Sequence, residues 1–192
     1  MIFNRIKNKS GFTLFEVLIA VTVGAVLLGL VLSIYSLSLR SLTSSENRSE
    51  LTQNSRVIIE RLTRDIRQTR QIATPLAATA GETSPALPKE LELQDGHVID
   101  KIQYIRYYAS GTDLKRQVKE YFFPAEPLIL VTFDAVDDFG NPAQSRVLED
   151  LLVGQYVSNI KFYGHNPVTA ELYLQKGNNT HTTRTTLFGR NL

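Results

Sequence analysis

Apolar residues are concentrated near the amino terminus and then follow a regular spacing further along the chain. Residues 17–39 contain no charged side chain and consist mainly of Val, Leu, Ile and Ala. After residue 40 the spacing is close to the 3.6-residue period of an amphipathic helix, with apolar positions at Leu51, Ile58, Leu62, Ile66 and Ile72. No proline interrupts residues 12–74. The pattern therefore predicts one continuous helix of about 60 residues.

The rest of the chain alternates strand-like runs with turn-forming residues. Residues 74–90 hold three prolines and a glycine, which predicts an exposed connector. A turn is predicted at residues 110–113 and a polar loop at 134–142. Strands are predicted at residues 101–108, 114–123, 128–133 and 157–163, with a closing pair at 170–175 and 182–188. One helix followed by several strands predicts an α+β fold, in which an antiparallel β-sheet head packs on the apolar stripe of the helix.

The polar side of the amphipathic helix is rich in arginine. Charged residues there are Arg56, Glu60, Arg61, Arg64, Asp65, Arg67 and Arg70. Three pairs of opposite charge stand four residues apart, at 56/60, 60/64 and 61/65, and each adds a few tenths of a kcal/mol to a helix, about 0.2–0.5. We expect a solvated face, and the alternative is a docking face for neighbouring subunits.

Charge and composition limit which functions and partners the chain can have. Arg5, Lys7 and Lys9 precede the apolar run and no acid accompanies them, a bias that keeps this end of a membrane segment in the cytoplasm. Without these residues the body is nearly neutral, so nothing indicates a nucleic-acid partner. Cysteine is absent, which excludes disulfides and thiolate metal sites.

The apolar run is long enough to span a bilayer, which takes about 20 residues. Glu16 lies at its start. A carboxylate at the centre of a membrane helix costs about 2.5–3.5 kcal/mol on insertion scales, and less near an end. We therefore expect Glu16 to need a partner.

A family resemblance rests on these residues together: the basic start, Gly-Phe-Thr-Leu at residues 11–14, Glu16 and the uninterrupted apolar run. The segment resembles the leader and processing site of type IV prepilins and pseudopilins. The resemblance implies cleavage after Gly11 by a prepilin peptidase that also N-methylates Phe12. It further implies that Glu16 pairs with the new ammonium group of Phe12 in an adjacent subunit.

This resemblance divides the chain into five parts. Residues 1–11 form a cleaved basic leader, 12–39 a transmembrane and filament-core helix, 40–73 its amphipathic continuation, 74–90 a connector and 91–192 an extracytoplasmic β-rich head. The implied location is the inner membrane, as a single-pass protein with a cytoplasmic amino terminus, followed by an extracytoplasmic filament. The implied partners are the peptidase, other pilin or pseudopilin subunits, the inner-membrane assembly platform and, before assembly, the lipid bilayer.

A narrower resemblance concerns the kind of subunit. Residues 60–68, the strand at 157–163 and the closing Arg190-Asn191 are similar to minor pseudopilin J and minor pilin W. The presence of Glu16 implies a neighbouring subunit above, and a major pilin that forms the shaft is the alternative. Ser33 stands where many family members have proline, so Gly24 and Gly29 are the candidates for softening the helix.

Two other interpretations of the amino terminus remain. A secretory signal would be cut after the apolar run, where residues 36–38 read Ser-Leu-Ser. A single-span anchor carrying a binding module would keep its Met1 terminus. Both leave Glu16 without a role.

Catalytic chemistry is not indicated, and we expect neither an enzyme nor a cofactor. The sequence has no nucleophile elbow, phosphate-binding glycine loop or zinc-protease motif, and His97, His165 and His181 fall in separate polar stretches. A calcium site is a minor alternative at Asp134, Asp137 and Asp138, although their spacing is not that of an EF-hand. For Tyr104, Tyr107 and Tyr108 we expect half-buried sheet positions, with a binding surface as the alternative.

Overall fold

The structure, a computed structural model, describes residues 11–82, 87–97 and 101–190. Arg5, Lys7, Lys9 and Asn191, which the sequence analysis singles out, lie outside the described residues. The chain divides into two compact units, Met1–Ser45 and Glu46–Leu192. A single helix, α1 (Leu14–Gln68), contributes residues to both.

The first unit contains the amino-terminal stretch of α1, residues 14–45. None of these residues is buried, and large apolar side chains such as Leu28 are exposed all round the helix. Some of its hydroxyl groups bond to the helix itself: Thr22 Oγ1 donates to the Ile19 carbonyl at 2.9 Å and Ser33 Oγ to the Gly29 carbonyl at 2.8 Å. The helix continues unbroken through Gly24, Gly29 and Ser33, because Ser33 keeps the backbone N–H that proline lacks.

The second unit contains the rest of α1, residues 46–68, and two antiparallel sheets. Among the described residues the first sheet has six strands: β1 (Gln71–Ile72), β2 (Leu91–Gln94), β3 (Tyr104–Ser110), β4 (Asp113–Phe123), β5 (Glu126–Val131) and β6 (Gln144–Gly154). The second has three: β7 (Val157–Tyr163), β8 (Val168–Lys176) and β9 (Asn179–Leu187). Every pairing is antiparallel.

The middle of the first sheet is the long strand β4. Its residues pair with β3 along one edge and, over nearly the same length, with β6, which must therefore lie along the opposite edge. The β3–β4 hairpin turns at Gly111, whose φ of 64° suits glycine and confirms the predicted turn. Strand β5 pairs only with the last residues of β4, from Tyr121 to Phe123.

One hydrophobic core joins the helix to both sheets. Four of the predicted stripe positions, Leu51, Ile58, Leu62 and Ile66, are 0% exposed. They pack in one cluster with Leu91, Leu93, Ile105 and Leu114 of the first sheet and Ile160, Phe162, Leu172 and Leu174 of the second. The structure thus confirms the α+β class, with a long amino-terminal helix packed against antiparallel sheets.

The helix ends earlier than predicted. It stops at Gln68 instead of continuing to about Ile72, because Gln71 and Ile72 form strand β1 and pair with β2. Thr69 Oγ1 donates to the Gln94 carbonyl at 2.8 Å and ties the end of the helix to β2. A Cβ at Gly96 would lie 1.7 Å from the Gln68 carbonyl oxygen, so only glycine lets this loop close over the helix end.

Each predicted strand has a counterpart in the structure, but several begin or end at other residues than predicted. The strand at 157–163 matches β7, and the closing pair corresponds to the longer β8 and β9. The strand predicted at 128–133 begins two residues earlier, at Glu126, and ends at Val131. Strand β6 was not predicted, because its apolar residues come in neighbouring groups, Val147-Leu148 and Leu151-Leu152-Val153, instead of alternating.

Candidate functional site at the amino-terminal end of the helix

The bond between Gly11 and Phe12 lies in exposed backbone ahead of the helix. Residues 11–13 are not helical, α1 begins at Leu14, and Phe12 is 87% exposed. A Cβ placed on Gly11 would meet no atom within 4 Å. Nothing within the described residues therefore requires glycine at this position, and a requirement for it would come from a molecule that binds the segment.

Thr13 and Glu16 close the first turn of α1 with reciprocal hydrogen bonds. The Thr13 backbone N–H and its Oγ1 hydroxyl each donate to Glu16 Oε2 at 2.9 Å. The Glu16 N–H donates to Thr13 Oγ1 at 3.3 Å. This is a capping box, in which the residue before the helix and the third helical residue each satisfy a backbone N–H that the helix leaves unbonded.

The capping box was missed in the sequence analysis although its signal is present. A Thr followed three residues later by Glu, just before an apolar run, is the pattern that marks such a cap. The structure thus gives Glu16 a hydrogen-bond partner, Thr13, that we did not expect from the sequence. Glu16 is hydrogen-bonded to Thr13 of its own chain, so these bonds do not need an adjacent subunit. Its charge also lies at the positive end of the helix dipole.

Helix α1 is long and apolar enough to cross a membrane near its amino-terminal end. The apolar window is not buried within the protein. A core helix of a soluble domain would hide such a surface against its own chain. Here the apolar side chains are available to lipid or to other subunits.

A second feature lies in the other stretch of the same helix, where Asp65 is buried beneath the first sheet. Its Oδ2 accepts hydrogen bonds from Tyr107 OH at 2.6 Å and Arg116 Nε at 2.7 Å. Burial, together with the neighbouring Asp65 carboxylate, raises the pKa of Tyr107, so its hydroxyl keeps the proton that it donates. Burial acts to lower the pKa of Arg116, but the hydrogen bond to Asp65, the charge of Asp65 and the contact with Tyr107 together outweigh burial and raise it.

This network corrects the expectation of a uniformly solvated charged face. Asp65 is 3% exposed, and Arg61 is 3.9 Å away at the edge of the network. Asp65 stands seven residues after Ile58, so it falls on the buried stripe, and that spacing was the signal to find it. Of the three pairs predicted on this face, only 61/65 comes within 4.0 Å in the part of the chain that the structure describes.

The other candidate residues are not brought together into one site. His97 Nδ1 contacts Asp95 Oδ1 at 2.5 Å and His181 Nε2 contacts Thr183 Oγ1 at 2.9 Å, while His165 lies in an exposed turn. Over residues 11–82, 87–97 and 101–190 there is no group of three His, Cys, Asp or Glu side chains placed to hold a metal ion.

The acidic loop and the tyrosines have structural roles. Asp137 Oδ1 accepts from the backbone N–H groups of Phe139 at 2.9 Å and Asn141 at 2.8 Å. Asn141, through its side chain and then its backbone, lowers the pKa of Asp137. Tyr104 and Tyr107 are 0% exposed, which contradicts both the half-buried and the binding-surface interpretations for them, whereas Tyr108 is partly exposed as expected.

Comparison with known proteins adds one finding at the amino terminus. Residues 6–32 match the family described as the prokaryotic N-terminal methylation motif. This match spans Gly11, Phe12 and Glu16. No curated protein sequence matches the chain.

The motif and the fold together define a class. One long amino-terminal helix, apolar and exposed over its first stretch, and antiparallel sheets packed on its second stretch are the layout of a pilin. With the methylation motif, this layout supports a type IV pilin or pseudopilin. The motif implies processing by a prepilin peptidase and assembly with other pilin subunits, and the apolar helix fits anchoring by a single membrane span.

Proposed function

We propose that the chain is a subunit of a type IV pilus or a type II secretion-like filament, produced as a prepilin and cut between Gly11 and Phe12. The observation that carries the proposal is the arrangement at the start of α1. An exposed, non-helical Gly-Phe bond stands directly before a capped helix whose first turn carries Glu16 and whose following residues are apolar and unburied.

Before assembly, the chain crosses the inner membrane once with its amino terminus in the cytoplasm, where the basic leader holds it. The exposed apolar side chains of residues 14–45 then face lipid. In the filament the same side chains pack against equivalent helices of other subunits, assembled through an inner-membrane platform. One apolar surface thus serves both states.

Glu16 links processing to assembly. Its capping bonds to Thr13 hold the carboxylate at the end of the helix, yet they come from neutral donors and leave the negative charge uncompensated. Cleavage creates an ammonium group on Phe12. A charge-assisted bond between this group on one subunit and Glu16 on the next is roughly twice as strong as a bond between neutral groups.

The chain itself catalyses no reaction in this proposal and is a substrate of the peptidase. A minor subunit similar to minor pseudopilin J or minor pilin W is the first candidate, on the character of residues 60–68 and 157–163. A major pilin that forms the shaft is the second candidate. It is favoured by the opposite charges of two exposed surfaces, the groove between α1 and β6 and residues 126–139, which would let copies of the chain bind one another. An uncleaved anchor with a binding module is the alternative from another class.

Mass spectrometry of the chain recovered from membranes and filaments tests the cleavage. We expect a mature chain that begins at Phe12 and carries an N-methyl group. Gly11→Leu should block cleavage, whereas Gly24→Leu should leave it intact, because neither glycine has a neighbour within 4 Å of an added Cβ and only Gly11 enters the peptidase. A chain that keeps residues 1–11 where the peptidase is active contradicts the proposal.

Charge pairing by Glu16 has its own test, because capping and charge can be separated. Glu16→Gln keeps a side chain that can cap Thr13 but removes the negative charge. We expect this variant to be cut normally and to enter filaments poorly. Normal incorporation of Glu16→Gln, with loss of incorporation in Thr13→Ala, would assign the role to the cap and overturn charge pairing.

A further inference from the structure

A groove runs between the carboxyl-terminal stretch of α1 and strand β6. One part of it, with a volume of about 310 Å³, is lined by Val57, Arg61 and Arg64 of the helix and by Leu151, Leu152 and Val153 of the strand. Two adjoining hollows of about 450 and 390 Å³ also include Arg64 in their walls. Arg64 therefore stands at the centre of the groove.

The helix side of the groove carries more positive than negative charge. Arg61, Arg64 and Arg67 of α1 line the groove and its adjoining hollows, against one acid of the helix surface, Glu60, because Asp65 is buried. Asp95 and Glu149 line only the hollow of about 450 Å³, and Glu149 pairs with Arg116 there. Arg116 at the base of the groove is already held by Asp65. Over the described ranges no carboxylate lies within 4.0 Å of the Arg64 guanidinium, so this charge remains available to a partner.

The walls of the groove are also apolar and open. Val57 is 51% exposed, Leu151 43% and Leu152 53%. Strand β6 pairs with β4 and, in the part of the chain that the structure describes, with no other strand, so nothing described covers its outer side. A partner that fits must bring both apolar side chains and negative charge.

The same chain carries such a surface elsewhere on its second unit. Residues 124–144 contain four acids, at 126, 134, 137 and 138, and no lysine or arginine. Two large apolar side chains project there almost fully, Leu128 at 90% and Phe139 at 89% exposed. The loop is ordered, because Asp137 holds the backbone at Phe139 and Val136 bridges to Pro142.

We propose that the acidic loop, defined as strand β5 with the turn residues after it (126–139), of one copy of this chain docks into the groove between α1 and β6 of a second copy. Phe139 and Leu128 supply the apolar contact, and Asp134 and Asp138 face the arginines around Arg64. A preformed loop loses little conformational freedom on docking, which favours the contact. The contact rests on the proposed role as a filament subunit and names the surfaces by which the heads meet.

The contact joins two different surfaces, so in a pair of copies the one that donates its loop keeps a free groove and the other keeps a free loop. Such a heterologous contact does not close on itself at a dimer, and unless it closes into a ring it repeats along a row of copies. It therefore predicts several copies in succession, as in a filament shaft. A subunit present once at a tip would leave both of its surfaces to other partners.

Cross-linking of the full-length chain in membranes tests the contact. Because the sequence has no native cysteine, only the introduced thiols of this chain can react. The variant Val136→Cys/Glu60→Cys, which places one thiol on the loop and one on the groove and keeps Phe139 and Leu151, is treated with a flexible bis-maleimide. We expect a ladder of dimers, trimers and larger species on a denaturing gel. The matched control, Val136→Cys/Thr182→Cys, places the second thiol at an exposed position on β9, away from the groove, and should remain monomeric.

Charge reversal tests the complementarity in the same assay. Arg64→Glu or Asp138→Arg alone should reduce the ladder about tenfold. Both reversals in one chain, or a mixture of the two single variants, should restore it, because reversed loops then meet reversed grooves. Failure to restore the ladder would overturn the contact.

The remaining outcomes are also decisive. No ladder, an equal ladder in the control pair, or cross-links only to a different protein would each overturn the contact between copies. The mass of the chain in the same sample reports whether residues 1–11 have been removed. A processed chain without a ladder refutes the contact and leaves the proposed function standing, whereas a ladder from an unprocessed chain supports the contact and refutes the proposed function.

Discussion

The two stretches of α1 use their apolar residues in opposite ways. In residues 14–45 apolar side chains surround the helix and none is buried, whereas in residues 46–68 four of them, Leu51, Ile58, Leu62 and Ile66, form one stripe that is buried against the sheets. The second stretch owes its stability to packing within the chain. The first stretch depends on what surrounds the chain, which is the property expected of a helix that passes from lipid to a filament.

Acidic residues show the same difference. Asp65 in the second stretch is bound by Tyr107 and Arg116 of the sheet, a charged partner included. Among the described residues, Glu16 in the first stretch has only the neutral donors of Thr13. Over that part of the chain, Asp65 has a charged partner and Glu16 has none.

The largest effect is expected from breaking the internal charge pair. Asp65→Ala leaves the buried Arg116 guanidinium with only the half-exposed Glu149 carboxylate, 3.5 Å away, so the loss of unfolding free energy should lie towards the lower end of about 3–5 kcal/mol. Urea unfolding of the full chain in detergent, followed by tyrosine fluorescence, measures this loss. Glu16→Ala should leave the same transition unchanged. An equal loss in both variants would show that the two stretches do not differ as described.

The double variant Asp65→Leu/Arg116→Leu sharpens this result. Removing both charges leaves Tyr107 without its acceptor, whereas Glu149, which loses Arg116, is half-exposed and can be solvated, so we expect a smaller loss than in Asp65→Ala. A loss equal to or larger than that of the single variant would show that packing, and not the unpaired charge, sets the cost.

A cavity in the buried stripe should have the next largest effect. Leu62 is 0% exposed, and Leu62→Ala should lower the unfolding free energy by about 2–5 kcal/mol. The matched change Leu28→Ala, at a position 64% exposed, should leave the urea midpoint of the second unit where it is. Coincident midpoints for the two variants would contradict the comparison.

A smaller loss is expected where the helix ends. In Gly96→Ala the new methyl group would lie 1.7 Å from the Gln68 carbonyl oxygen, so backbone must move, at a cost of about 1–3 kcal/mol. Gly81→Ala is the control, since its methyl group would meet nothing within 4 Å. A shift in urea midpoint for Gly96→Ala no greater than for Gly81→Ala would mean that the loop relaxes freely.

The smallest effect concerns the start of the helix. Thr13→Ala removes the cap and should destabilise the first turn by about 1 kcal/mol. Faster hydrogen exchange at the amides of residues 14–17 would report this, with exchange in the second unit unchanged. Protection of the first turn equal to that of the unaltered chain would show that the cap is dispensable.

Features with a regular period were predictable from the sequence. The stripe at Leu51, Ile58, Leu62 and Ile66 and the β3–β4 hairpin follow from spacing and turn residues, and all are found in the structure. The α+β class follows from them. The helix end at Gln68 does not, because it depends on pairing with β2 more than 20 residues away and on the closeness of Gly96.

Contacts between residues that are far apart in the sequence were harder to predict. Asp65 looks in the sequence like one member of a surface pair, and only the fold brings Tyr107 and Arg116 to it. Strand β6 carries exposed apolar residues on both faces, so it has no alternation to detect. The candidate site at residues 11–16 was predictable because it is contiguous in the chain, and its cap also has a sequence signal, Thr13 three residues before Glu16.

The cap between Thr13 and Glu16 determines whether the start of the helix must change when the leader is removed. All of its atoms belong to residues on the far side of the proposed scissile bond, so hydrolysis after Gly11 leaves them in place. Precursor and product therefore begin their helix at the same residue. On the described side of the bond, from Gly11 onward, the enzyme has one amide to break and no secondary structure to unwind, and the newly freed amine lies next to a helix end that is already formed.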